Sequence, residues 1–128
     1  MKRDKRDVVF SNLVRRRAGW KCQRCGKQYP EGQAQGLDCS HLFGRRHRST
    51  RWHPDNAFAH CRGCHQYLGS NPPIFTEWAI DQLGQTRFEW LRYRHNMVMK
   101  YTKADLEDLY RHLKAEWDEG KMEFEAYD

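Results

Sequence analysis

The sequence predicts an α+β fold: a small cysteine-anchored unit of two strands and a helix, with further helices on both sides. Three observations carry that reading. Four of the five cysteines form two C-x-x-C pairs, Cys22/Cys25 and Cys61/Cys64. The stretch between the pairs alternates as a strand does, and the residues beyond 70 show helix starts, stops and periodicity. At 128 residues the chain is one domain by length. Its expected parts are a basic N-terminal helix in residues 1–20, the cysteine-bearing core in 21–70, a helical part in 71–118 and an acidic tail in 119–128.

The first segment, "DVVFSNLVRRRA" (7–18), reads as a short basic helix with Val9, Leu13 and Phe10 inward. After Cys25 come Gly26 and the turn-rich "KQYPEGQAQG"; glycine there lets the chain fold back so that backbone amides approach the sulfurs. "LDCSHLF" (37–43) suits a strand with Leu37, Cys39, His41 and Phe43 on one face and Asp38, Ser40 and Leu42 on the other. "AFAH" (57–60) is the returning strand. "HQYLGSNPP" has no breaker before Gly69, which puts Cys61 and Cys64 at the start of a helix, three apart on one face. Knuckle, hairpin and helix in that order make a treble clef.

No run resembles a signal peptide or membrane span, so the expectation is a soluble cytoplasmic protein without a membrane partner. In such a setting paired C-x-x-C units argue for metal over disulfides, and four thiolates suit a closed structural Zn²⁺ site. A thioredoxin-like redox pair is the weaker alternative, because two pairs occur and neither sits in a βαβ pattern.

Beyond the clef, Asn71 with Pro72 and Pro73 starts a helix that stops at Gly84. Thr86 and Glu89 form a capping-box pattern for a second helix through about Met99, and Thr102 with Asp105 opens a third. Leu106, Leu109, Tyr110, Leu113 and Trp117 give that last helix an apolar stripe. Core packing absorbs most of such a stripe. With 13% aromatic residues, a two-fold homodimer is also expected as a possibility. The tail "KMEFEAYD" is acidic and expected to be loosely ordered.

The net charge of +6 is unevenly spread: residues 104–128 carry nine acids against three bases, so residues 1–103 carry +12. A basic body points to a polyanion, nucleic acid first; a merely solvated charged surface is the alternative. A four-cysteine zinc site does no chemistry itself, so activity must come from what the scaffold displays. His41 ends the first strand, Asn56 opens the second, and His65 follows Cys64. One helical step of about 100° turns His65 away from the zinc toward the hairpin and His41. Two histidines facing a gap beside a run of arginines suit a divalent ion and a phosphodiester. "GRRHRSTRWH" supplies Arg45, Arg46, Arg48 and Arg51 for phosphates and Trp52 to stack on a base, with Arg45 and Arg51 the first choices. His47, His53, His60 and Cys39 read as packing or loop residues.

His41, Asn56 and His65, set in "SH…DNAFAHCRGCH", resemble the HNH or ββα-metal nucleases with a zinc-stabilised core. The longer stretch "DCSHLFGRRHRSTRWHPDNAFAHCRGCHQYLGSNPPIFTEWAIDQLG" is similar to the NinG (Rap) family of phage recombination nucleases, over about residues 20–117. That resemblance implies a metal-dependent DNA endonuclease acting on branched intermediates such as Holliday junctions, in the host cytoplasm, and leaving 5′-phosphate and 3′-hydroxyl ends. It implies His41 as general base, and His65 with Asp38 as holders of Mg²⁺ or Mn²⁺, although other divalent transition metals bind imidazole more readily than magnesium does. Asn56 would tie the loop that aims His41. Many HNH enzymes have an acid directly before the first histidine; here it is Ser40, with Asp38 two residues earlier, and either could complete the metal site. The rivals are a non-catalytic treble-clef nucleic-acid-binding module and an HNH enzyme that nicks ordinary duplex.

Overall fold

The computed structural model describes residues 1–127. In chain order its elements are α1 (Lys5–Arg17), β1 (Leu37–His41), the short α2 (Arg48–Arg51), a 3-10 turn (Pro54–Asn56), β2 (Ala57–Cys61), α3 (Arg62–Gly69), α4 (Pro72–Leu83), α5 (Gln85–His95) and α6 (Lys103–Asp118). The two strands pair antiparallel, from Leu37 opposite Cys61 to His41 opposite Ala57. This is the expected mixed α+β arrangement. No helix among the described residues is long and apolar enough to cross a membrane.

Helix α1 begins two residues before the periodic segment because its start is set by acids. The Asp4 carboxylate accepts from the amides of Arg6 and Asp7, and Asp7 accepts in return from the Asp4 amide at 2.8 Å. Arg15, Arg16 and Arg17 fill the last turn, where cations suit the helix dipole. The inward face carries Phe10, Leu13 and Val14, all at most 1% exposed. They join Leu37, Ala57, Ala59, Leu109 and Leu113 in the main core between the hairpin and α6. A second cluster, Phe58, Leu68, Phe75 and Ala79, binds α3 and α4 to the other side of β2.

Three expectations need correction. First, β1 stops at His41, because the Leu42 amide bonds to the Asn56 carbonyl (2.9 Å) and Phe43 is held by the Asn56 side chain. The strand is also not two-faced: Leu37 and Ser40 are both fully buried, since α1 and α3 each pack against the hairpin. Second, α5 starts from Gly84 at φ +84°, a conformation glycine alone takes easily. Thr86 therefore lies inside the helix, and α5 ends at His95 well short of Met99. The core-packing reading of the α6 stripe stands, with α1 as its cover: Leu109 and Leu113 are buried, Lys5 sits over the Tyr110 ring and Arg16 over that of Trp117. Third, the tail packs: Phe124 is 5% exposed and meets Phe10 edge-on at 5.7 Å. Residue 128 of that tail lies outside the described residues.

Within this frame one buried ion pair ties α1 to the arginine loop. Asp7 accepts from Arg51 at 3.0 Å (Nε) and 2.5 Å (Nη2), and from the indole N–H of Trp52 at 3.1 Å. Burial alone would raise the Asp7 pKa; the hydrogen bonds from Arg51 outweigh it and hold the carboxyl low. Removing one member leaves the other charge buried and alone, so Asp7→Ala is expected to cost on the order of 3–5 kcal/mol in urea unfolding. A loss below about 1 kcal/mol would show that the pair is not closed in solution.

Candidate functional site

The four sulfurs of Cys22, Cys25, Cys61 and Cys64 lie within 4.8 Å of one another. Tetrahedral zinc with Zn–S bonds of about 2.3 Å separates its sulfurs by about 3.8 Å, and Cys25 Sγ stands 3.7 Å from Cys61 Sγ. The cysteines are unpaired by disulfides. The donor set therefore fits: four close thiols can hold a structural zinc ion.

Local structure aims these thiols. Gly26, at φ +80°, lets its amide reach the Cys22 carbonyl at 2.9 Å, closing the first knuckle. Cys61 caps α3, its sulfur accepting from the Cys64 amide at 3.4 Å, and Cys22 accepts in the same way from Cys25. The knuckle is pinned to β2 through Gln23, which exchanges two 2.8 Å hydrogen bonds with the Ala59 backbone. Arg24 Nη1 donates to Cys64 Sγ at 3.4 Å, placing a cation beside the sulfur cluster.

On the other side of the hairpin an open cleft of about 550 Å³ is lined by Asp38, Cys39, His41, His65 and Arg62 on one wall. Asp7, Ser11 and Arg15 of α1 form the other, with Arg3 and Arg45 at the margin. The structure thus brings His41 and His65 to one cleft. The direct neighbour of His65, however, is Asp38, with Nδ1 at 2.9 Å from Oδ2. Arg62 adds two contacts at 3.3 Å. Burial would raise the Asp38 pKa, but the hydrogen bonds from His65 and Arg62 prevail and hold it below the usual carboxylate range. Ser40 takes no part: it is fully buried, with Oγ 2.8 Å from Nδ1 of the equally buried His60.

His41 is oriented by backbone. Its Nε2 lies 3.1 Å from the Arg51 carbonyl, which can only accept, so Nε2 carries the proton and Nδ1 keeps its lone pair. Burial pushes its pKa down to about 4, and Arg45 also opposes protonation. His41 is then neutral at pH 7. The unfolded chain takes up this proton first as pH drops below about 6.5, so the contribution of His41 to stability is complete above that pH and is lost progressively toward pH 4. An NMR titration of the ring is expected to give a midpoint near 4; a midpoint near 6.5 would mean that the ring is open to water.

Asn56, at 0% exposure, holds the Arg51 carbonyl in place indirectly. Its side chain accepts from the Phe43 amide (2.8 Å) and donates to the carbonyls of Phe43 (2.8 Å) and Thr50 (3.0 Å). Both ends of the arginine loop are clamped by one amide group.

The loop itself divides. Arg45 reaches the cleft, and Arg46 and Arg48 are exposed. Arg51 and Trp52 correct the expectation for them: each is 5% exposed and turned onto Asp7, and the Trp52 ring meets Tyr101 edge-on in the core. Neither can reach a phosphate or a base without unpacking. Cys39 is half-buried with its thiol pushed up to about 12 by burial, which suits packing better than nucleophilic chemistry. Sequence reasoning missed Arg3, Arg15 and Arg62. The signal available for Arg15 was its register: Asp7, Ser11 and Arg15, four apart, put a polar line on a helix whose neighbouring face is apolar.

Fold and cleft together define a mixed α+β protein with a cysteine cluster able to hold zinc and an arginine-rich cleft beside it. The chain belongs to the bacteriophage lambda NinG protein family, whose family model matches residues 5–123. Membership points to a phage recombination-related role. No curated protein matches the chain, and no solved structure does.

Proposed function

We propose that the chain is a metal-dependent endonuclease of the HNH type that hydrolyses DNA phosphodiester bonds, preferentially at branched recombination intermediates. The observation that carries this reading is the state of His41. It is a neutral imidazole held through Nε2 by a carbonyl, with Nδ1 free, in a cleft that also contains a carboxylate–imidazole pair and several guanidiniums. Nδ1 is placed to take the proton of an attacking water.

Asp38 and His65 would hold one Mg²⁺ or Mn²⁺ ion. Their donor atoms, 2.9 Å apart, now share the Nδ1 proton; with that proton released on binding, the same separation is that of adjacent ligands of an ion with bonds of about 2.1 Å, at about 3 Å. When bound, such an ion stabilises charge on the phosphate and its leaving oxygen. Arg62 holds Asp38 in place, and Arg45 supplies positive charge at the cleft margin. Asn56 acts as a positioning residue, through the loop that aims His41. Arg46 and Arg48, exposed beside the cleft, are the outer contacts for a DNA backbone.

The branched-DNA preference rests on the phage recombination-related family. A labelled four-way junction and its matching linear duplex, incubated with Mg²⁺ or Mn²⁺, test both parts. Junction cutting to 5′-phosphate and 3′-hydroxyl ends, with duplex largely spared, is expected. Equal cutting of both would keep the nuclease and discard the preference. Tight binding with no cutting would favour a non-catalytic zinc-binding module, the reading that the closed cysteine cluster alone supports.

A further inference from the structure

Arg15 is a charged side chain at 6% exposure that lines the cleft. Its Nε donates to the Leu37 carbonyl at 2.6 Å and its Nη1 to Asn12 Oδ1 at 2.8 Å. Both acceptors are neutral, and Nη2 has no partner among the described residues. The one carboxylate whose field reaches Arg15 is Asp38, more weakly than the opposing charge of Arg3, and Asp38 is already committed to His65 and Arg62. Asp7, on the same helix face, is committed to Arg51. A nearly buried guanidinium without its own carboxylate is costly to keep in an empty protein. Its two neutral hydrogen bonds fix its direction, and that direction is the cleft.

Arg3 extends the same wall: its Nη2 donates to Ser11 Oγ at 2.9 Å, and Arg3 and Ser11 both line the cleft. Four guanidiniums therefore surround the cleft, those of Arg3, Arg15, Arg45 and Arg62, against two carboxylates that are both engaged. Arg45 comes from the basic loop 44–53, which packs against α1 through Asp7, so two segments distant in sequence bring charge to this cleft.

We infer that Arg15, with Arg3 beside it, is a phosphate-binding subsite on α1 that takes a backbone phosphate of the nucleic acid lying across His41. The subsite rests on the DNA-binding part of the reading above and adds a substrate contact from a helix outside the cysteine-anchored core. Guanidinium is suited to this task because it stays charged when buried and offers two N–H groups in one plane to two phosphate oxygens.

Salt dependence is the readout that a purely structural arginine would not move. The affinity of wild type, Arg15→Gln and Arg15→Lys for a labelled duplex is measured without added divalent ion across a range of salt concentrations. Each phosphate contact contributes about 0.9 to the slope of log K against log salt. Arg15→Gln is expected to bind roughly ten- to a hundredfold more weakly, with its slope reduced by about one contact. Arg15→Lys is expected to keep the slope. An unchanged slope in a folded Arg15→Gln protein would overturn the subsite. Should Arg15→Gln fail to fold, the Nε–H signal of Arg15 in the wild type, followed by NMR during titration with a short duplex, decides: a shift on binding supports the contact and a static signal overturns it. Wild-type binding with the slope change but no cleavage under any metal would remove the nuclease reading and leave the subsite. A wild type that does not bind DNA would remove both.

Discussion

Cys61→Ser is expected to leave the chain without a cooperative thermal transition, and a strong chelator is expected to do the same to the wild type. Cys61 sits at the junction of three structures: it pairs with Leu37 in the hairpin, caps α3, and contributes one of the four clustered sulfurs. Structural zinc in small domains is worth an apparent 10–16 kcal/mol, while whole domains are stable by only about 5–15 kcal/mol. Losing the ion therefore removes as much free energy as the fold has in reserve. Metal analysis of the purified protein is expected to give one zinc per chain. A chain isolated free of metal, with the same melting curve in chelator as in buffer, would contradict the zinc assignment.

The second large effect falls on His41. His41→Ala is expected to lower the cleavage rate by roughly 10²–10⁴-fold, the usual contribution of a positioned general base. Binding of DNA should change little, because His41 is neutral and makes its one hydrogen bond to the protein's own backbone. Cleavage is therefore the quantity to compare, at protein concentrations that saturate binding. A His41→Ala protein that cuts within a factor of about three of the wild type would move the base elsewhere.

The parts of this site that were legible in the sequence share one property: their geometry is local. Two C-x-x-C pairs specify sulfurs that meet, because each pair is a knuckle or a helix turn. His65 had to turn away from the cysteine cluster because it follows Cys64 by one helical step, and the Thr102/Asp105 box set the start of α6 as it stands. Trp52 and Arg51 were misread for the opposite reason. An arginine-rich loop with a tryptophan looks like a solvent-facing phosphate grip until α1 brings Asp7 from 44 residues away to bury both.

Asp38 illustrates the boundary between the two cases. Its candidacy against Ser40 depended on which of two same-strand residues faced α3. Alternation placed them on one face, yet Ser40 is sealed against His60 while Asp38 opens to His65. The hairpin is covered on both sides, so burial does not follow the pleat. Arg15 was hidden by the same kind of tertiary fact, because which face of α1 meets the cleft is decided by Phe10, Leu13 and Val14 packing on the far side.

The central claim is that one cleft, lined by Asp38, His65 and His41, hydrolyses DNA with the help of a divalent ion. The most direct test is the single-turnover cleavage rate of a labelled four-way junction as a function of Mn²⁺ concentration, for the wild type, Asp38→Ala and His65→Ala. The wild type is predicted to show a rate that rises from zero and saturates with Mn²⁺, and each variant to need a much higher concentration or to fail to cut. A wild-type protein that binds the junction, retains its zinc and leaves the strands intact at every Mn²⁺ concentration would contradict the claim.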